Sequence, residues 1–186
     1  DARRAAGRTT HFGYQEVPEA EKAPRVRGVF ESVAGRYDLM NDLMSGGIHR
    51  LWKAAMLDWL DPRPGQRLLD VAGGTGDVAL RVLDRVGAER AGPIVVCDLT
   101  PGMLRIGADR AFDRGVFGRA CPGGLHWVCA DAQALPVPDG SMDACTIAFG
   151  LRNVTDIAAA LAEARRVLAP GGRFLCLEFS RVVLPL

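Results

Sequence analysis

The sequence predicts an α/β protein with a parallel sheet and crossover helices, and three observations carry that prediction. From Leu68 onward five short apolar runs, RLLDVA, PIVVCD, LHWVCAD, DACTIAFG and GRFLCLEF, alternate with stretches of helical pattern. Such alternation is the mark of strands joined by helices that pack on the sheet. Directly after the first run comes a glycine-rich turn, DVAGGTGD, between the first strand and the first helix of the unit. Helix and turn punctuation then separates the later runs.

Ahead of the sheet, residues 26–60 place apolar side chains at helical spacing, Val26, Val29, Phe30 and Val33, then Leu51 and Ala55, broken by Ser45-Gly46-Gly47. These read as helices flanking the sheet. After the second strand, Thr100 precedes Pro101, a hydroxyl N-cap before proline at the first helical position, so a helix starts there. Pro138-Asp139-Gly140 makes the turn into the fourth strand. Residues 156–168 carry Ile157, Leu161, Ala164 and Leu168 as a helical stripe, and Pro170-Gly171-Gly172 stops that helix before the fifth strand. Residues 1–60 are expected to form an arm and cover helices of the same domain, and residues 61–186 a nucleotide-binding core.

Composition narrows the function classes. The 186 residues are 48% hydrophobic and 24% charged, enough to bury a sizeable core in one domain. A net charge of +1, with Lys and Arg scattered, offers no electrostatic footprint for nucleic acid or an acidic membrane face. No segment approaches the roughly 18 consecutive apolar residues of a membrane span. Five cysteines, without a CxxC pair, include Cys97, Cys145 and Cys176 in strand-like runs, where reduced, buried thiols are expected. His11, His49 and His126 lack partners at metal-ligand spacing, and no metal is expected.

The glycine loop fits two nucleotides. Read as Gly74-x-Gly76-x-x-Ala79, with Asp98 about twenty positions on, it matches a dinucleotide fingerprint and suggests an NAD-dependent oxidoreductase. Read from Asp70, it is an acidic strand end before a glycine turn that brings Gly73, Gly74 and Gly76 close to a ligand. Carboxylates separate the two. Asp70 and Asp77 flank the loop and would repel a diphosphate, whereas they complement the ammonium and sulfonium of S-adenosylmethionine. Asp98 ends the second strand, where it can accept ribose hydroxyls, with Met103 and Leu104 near the adenine. Asp131 ends the third and can accept the adenine amino group. Three acidic strand ends in order around one loop favour the sulfonium nucleotide.

The runs THFGY, VFESVAGRYDLMNDLMSGGIHRLWK, LLDVAGGTGD, FGLRNVTD and RVLAPGGRFLCLEFS resemble the ubiquinone/menaquinone biosynthesis C-methyltransferases, over residues 10–180. The resemblance implies a Rossmann-like class I methyltransferase sheet and S-adenosylmethionine contacts at Thr75, Asp98 and the Asp131-Ala132 pair. A serine is frequent in the family at the position held here by Ala148, so a hydroxyl contact is absent and the backbone is left to serve. The family continues for two further strands of a seven-stranded sheet, so the fifth strand is expected to be an uncovered edge and part of the acceptor pocket to be missing. The acceptor implied is a lipid-tailed benzoquinol or naphthoquinol, methylated at ring carbon in ubiquinone or menaquinone biosynthesis.

That chemistry needs a deprotonated ring hydroxyl and a positioned, dry site more than a metal. Arg152, in the FGLRN run after the fourth strand, is a candidate to stabilise the quinolate oxygen, and Asn153 to orient the ring or a water. Its alternative is an arginine paired with a helix carboxylate. Candidates for the base are Tyr37, Asp38 and His49, the last favoured by its intrinsic pKa and otherwise a packing residue beside Trp52. Met40, Met44 and Met56 read as core, with a polyprenyl channel as the alternative. A bacterial cytoplasm, peripheral at the inner membrane, and the matrix side of the mitochondrial inner membrane both fit. A non-catalytic nucleotide-binding member of a quinone-synthesis complex is the remaining alternative.

Overall fold

A computed structural model describes residues 9–12, 15–33 and 47–179. An antiparallel hairpin of β1 (Thr9–Phe12) and β2 (Gln15–Pro18) leads into α1 (Glu19–Val33), and α2 spans Ile48–Leu60. The core then runs β3 (Leu68–Val71), α3 (Asp77–Val86), β4 (Ile94–Asp98), α4 (Pro101–Asp113), β5 (Leu125–Cys129), β6 (Met142–Ala148), α5 (Ile157–Val167) and β7 (Leu168–Leu177). The five core strands form one parallel sheet in the order β5-β4-β3-β6-β7. All five apolar runs read from the sequence are its strands.

The central strand explains why these runs are continuous rather than alternating. Every residue of β3 is buried, because helices cover both faces of a parallel sheet. Leu68 packs with Met56, Leu57 and Leu60 of α2 and Leu83 of α3 on one face. Leu69 and Val71 pack with Ala164 and Val167 of α5 on the other. By strand periodicity Asp70 shares the face of Leu68, toward α2 and α3.

Local chemistry sets the helix ends. Asp156 caps α5, its carboxylate accepting the Ala159 N–H at 2.9 Å. Gly87, in the φ-positive region, ends α3 with its N–H on the Leu83 carbonyl.

Several expectations change. α1 begins at Glu19 rather than Val26, and the preceding hairpin has strands of four residues, too short to show a pattern. Thr100 stands at the N-cap of α4 but makes no side-chain cap bond. Instead its own N–H donates to Asp98 Oδ1, and its carbonyl accepts from Met103. In α2 the packed face is Met56, Leu57 and Leu60, while Leu51 and Ala55 are exposed. In α5 it is Ala160, Ala164 and Val167, with Ile157 and Leu161 exposed. Both helices carry apolar residues on more than one side, so spacing alone does not pick the buried stripe. That helix also ends at Val167, before Pro170-Gly171-Gly172. Those three residues lie within β7, where Met142 pairs Leu168 and Ala144 pairs Arg173, so they absorb a bulge rather than stop a helix. Cys97 and Cys145 are buried as expected, whereas Cys176 is exposed on the edge strand β7 and Cys121 is buried in its place. Met56 is core. Met40 and Met44 lie outside the described residues.

Candidate functional site

The chain reverses direction across the sheet between β3 and β6, whose carboxyl ends lie side by side. Ligands of open α/β sheets sit at such a point. Here both strands leave through non-glycine residues in the left-handed region, Ala72 at φ 51° and Phe149 at φ 59°. Each such residue costs roughly 1–3 kcal/mol and persists only where its surroundings enforce it. The two exits approach closely enough to require glycine at 150, where an added Cβ would come within 2.4 Å of the Ala72 Cβ.

Over these exits opens a cleft of about 750 Å³, counting the open space at its mouth. Asp98, Met103, Asp131, Ala132 and Gln133 line it on the β4–β5 side, and Asn153 lines it after β6. Ala23 and Val26 of α1 close it from above. Lys22 fastens that helix, donating to the carbonyls of Arg152 at 3.3 Å and Val154 at 2.8 Å. A smaller lobe lies behind the glycine loop, lined by Lys53, Asp70, Thr75 and Asp77, and shares Ala72, Gly74 and Ala148 with the main cleft.

The glycines serve different purposes. Gly74 borders both lobes, where a side chain would intrude. At Gly73 an added Cβ would sit 2.7 Å from both Asp70 Oδ2 and Val96 Cγ1, and at Gly76 it would sit 2.5 Å from the Trp127 ring. Two of the three positions expected to make room for a ligand are therefore set by packing within the protein.

Asp98 is aimed before any ligand arrives. Its Oδ2 accepts the Gly74 N–H at 2.9 Å and its Oδ1 the Thr100 N–H at 2.8 Å. Burial pushes this carboxyl above its ordinary range, and hydrogen bonds from the N–H groups of Thr100, Gly74 and Leu99 and from the Thr100 hydroxyl offset only part of the push. Asp131 takes the backbone N–H of Gln133 at 2.9 Å and its side-chain amide at 2.9 and 3.0 Å. Gln133 also accepts from the Asp156 N–H at 2.8 Å, tying this turn to the start of α5.

The two acids flanking the loop differ. Asp77, expected to face a cationic ligand, is matched inside the protein: Lys53 Nζ lies 2.9 Å from Oδ2 and Arg81 Nε 3.0 Å from Oδ1. Burial raises its carboxyl, but Lys53 and Arg81 outweigh burial and hold it below the usual carboxylate range. Asp70 is 1% exposed and accepts one side-chain bond, from Thr146 Oγ1 to Oδ1 at 2.8 Å. Its Oδ2 has no partner among the described residues. Burial drives its pKa up to about 7, against the pull of Thr146 and Lys53.

Thr75 is buried in the loop with its hydroxyl accepting Arg110 Nη1 at 3.0 Å. Arg152 lies outside the cleft lining, at its rim: Nη1 is 2.6 Å from Glu178 Oε2, and the guanidinium lies over the rings of Phe149 (6.0 Å) and Phe179 (5.1 Å). Its carboxylate partner follows a strand rather than belonging to a helix. Trp52 completes the aromatic rim, 6.3 Å from Phe149 and 5.6 Å from Phe179. His49 is buried in the first turn of α2 and does not line the cleft. Tyr37 and Asp38 lie outside the described residues. Sequence reasoning missed Lys53, Thr146 and Gln133. The first two meet the loop acids from a distant helix and a neighbouring strand, and nothing in their spacing signals it. Gln133, two residues beyond Asp131, was open to reading as an Asx-turn partner.

A main lobe with oriented acids, joined to a small lobe with a sealed, half-satisfied carboxylate, fits a nucleoside that carries a cationic amino-acid arm. That orphan oxygen is unfavourable beside a diphosphate.

Comparison with known proteins agrees. The model of the ubiE/COQ5 methyltransferase family matches residues 18–186. The chain is 58% identical over 177 residues to the ubiquinone/menaquinone biosynthesis C-methyltransferase UbiE of Paracoccus denitrificans, covering 95% of this chain and 68% of that protein. It is 51% identical to the mitochondrial 2-methoxy-6-polyprenyl-1,4-benzoquinol methylase of Danio rerio, covering 97% of this chain and 63% of that one. Among solved structures, the [4+2]-cyclase SpnF superposes with a TM-score of 0.67 at 26% identity, over 82% of this chain and 59% of that one. A fold shared with a cyclase does not itself name a reaction. The family match does, and it displaces the dehydrogenase alternative: this chain belongs to the ubiE/COQ5 methyltransferase family.

Proposed function

We propose that the site transfers a methyl group from S-adenosylmethionine to a ring carbon of a lipid-tailed benzoquinol or naphthoquinol, a step of ubiquinone or menaquinone biosynthesis. The observation that carries the donor is the two-lobed cleft at the β3–β6 switch point, with Asp98 and Asp131 in one lobe and the unsatisfied Asp70 in the other. The acceptor rests on the named relatives.

In this reading S-adenosylmethionine supplies an electrophilic methyl group. Asp98 accepts the ribose hydroxyls, and Asp131 with Ala132 holds the adenine edge. Gly73, Gly74, Thr75 and Gly76 shape the wall between the lobes, and the backbone at Ala148 borders the transfer point. Arg152 stands at the rim with its charge shared by Glu178, ready to stabilise a quinolate oxygen, and Asn153 orients the ring from inside the cleft. Proton removal falls to Tyr37 or Asp38, since His49 is buried in α2 and does not line the cleft. The amino-terminal 60 residues serve as the cover, since a phenolate and a sulfonium react best where water is excluded.

The tail of such an acceptor would draw the protein to a membrane surface, bacterial inner or mitochondrial, although no helix among the described residues is long and apolar enough to cross one. Partners in a quinone-synthesis complex belong to the same proposal.

The test is transfer of a labelled methyl group to a demethylated quinol, alongside calorimetry with S-adenosylhomocysteine and NAD. Transfer, with binding of S-adenosylhomocysteine only, is expected, and Asp98→Ala should abolish both. Binding of NAD alone would overturn the reading. Tight S-adenosylhomocysteine binding with no methyl transfer to any quinol would favour the non-catalytic role instead.

A further inference from the structure

Glu178 is the first residue after β7, and it meets Arg152 twice. Its Oε1 accepts the Arg152 backbone N–H at 3.2 Å, and its Oε2 lies 2.6 Å from Arg152 Nη1. One carboxylate thus grips both the main chain and the side chain of the same arginine. Strand pairing delivers it there. Ala148 pairs with Leu177, and the Phe149 N–H donates to the Leu177 carbonyl at 2.7 Å, so the residue after Leu177 arrives beside the exit of β6. The side chain of Glu178 is 18% exposed against 48% for Arg152, so the acid is the better enclosed of the pair.

The need for such a hold follows from where Arg152 stands. It belongs to a single 3₁₀ turn, Leu151–Asn153, just beyond the left-handed Phe149. A turn of that kind bonds weakly to itself, so its orientation depends on what grips it from outside. The guanidinium lies over the rings of Phe149 and Phe179, and a cation over an aromatic face is attracted without a fixed direction in the plane of the ring. Direction comes from hydrogen bonds, and the charge-assisted bond to Glu178 Oε2 supplies one. A guanidinium carries five N–H donors, so a group held through Nη1 can still serve a second anion.

Resting on the methyl-transfer reading above, we propose that Glu178 is a positioning residue for that reaction, orienting the Arg152 guanidinium toward the ring oxygen of the quinol without touching the acceptor itself. Glu178 does not line the cleft, and it acts only through Arg152.

Steady-state transfer of a labelled methyl group to a demethylated quinol tests this, measured for the parent, Glu178→Gln, Arg152→Ala and the double variant. Glutamine keeps the shape and an oxygen for the Arg152 N–H but loses the ionic hold on Nη1. Glu178→Gln should lower kcat roughly 10- to 100-fold, the scale of a misplaced reacting group. Its S-adenosylhomocysteine affinity by calorimetry should be unchanged, which also reports that the variant is folded. Added to Arg152→Ala, the same substitution should cost nothing further, because there is no guanidinium left to orient. Equal fold losses in the two backgrounds would mean a merely structural carboxylate and overturn the proposal. An unchanged or raised kcat in Glu178→Gln would overturn it too, as would full turnover in Arg152→Ala. If the parent transfers no methyl group to a quinol, the methyl-transfer reading itself fails.

Discussion

Thr146 Oγ1 donates to Asp70 Oδ1 at 2.8 Å across two parallel strands that pair these residues directly, and the other oxygen of Asp70 accepts nothing among the described residues. A carboxyl held this way, with its pKa driven up to about 7 by burial, is partly protonated at neutral pH. An arriving ammonium favours the ionised form. S-adenosylhomocysteine affinity should therefore rise with pH toward about 7 and level off above it, and binding near neutrality should release protons. Calorimetry in buffers of different ionisation enthalpy measures both, and Asp70→Asn should bind weakly and without the pH dependence.

The same shift has a stability sign. The unfolded carboxyl titrates near its ordinary 3.8, so between that value and about 7 the folded state holds the extra proton. Stability of the ligand-free chain from this group is full below pH 4 and is lost as pH rises through about 7. Urea denaturation should show a smaller loss over that interval in Asp70→Asn than in the parent.

Gly76 and Gly28 should respond in opposite directions to alanine. Gly76 has φ +73° and its new Cβ would meet the Trp127 ring at 2.5 Å, so Gly76→Ala should destabilise by roughly 1–3 kcal/mol or more. Gly28, inside α1 with nothing among the described residues within 4 Å of its Cβ position, should gain about 0.5–1 kcal/mol. Denaturant midpoints compare the two.

Arg152→Ala separates chemistry from donor binding. Arg152 is at the rim and outside the cleft lining, so S-adenosylhomocysteine affinity should hold while turnover with a quinol falls on the order of 10²- to 10³-fold. Unchanged turnover would remove it from the reaction.

Lys22→Met should release α1. It leaves the Arg152 and Val154 carbonyls without their ammonium donor, a loss of roughly 1–3 kcal/mol. Hydrogen exchange should quicken in α1 and in the 151–154 turn, with β3 and β4 unaffected.

The inner strands β3, β4 and β6 were legible because strands buried on both faces write themselves as unbroken apolar runs, and the glycine loop because glycine suits its turns and close packing. Asp98 and Asp131 were legible as acids at strand ends. The buried faces of α2 and α5 were not, since both helices have apolar residues all round and tertiary packing chose among them. Nor was the bulge at Pro170-Gly171-Gly172, which depends on the register of β7 against β6.

By itself the sequence determined the sheet, the nucleotide loop and the family, all of which are local patterns along the chain. Only the tertiary structure decided which carboxylate remains available. Asp70 and Asp77 are equivalent letters beside the same glycines. One is answered by Lys53 and Arg81, while the other is sealed against Thr146 with an oxygen to spare. Asp70 and Thr146 stand 76 positions apart in sequence, and only strand register brings the carboxylate and the hydroxyl within hydrogen-bonding distance.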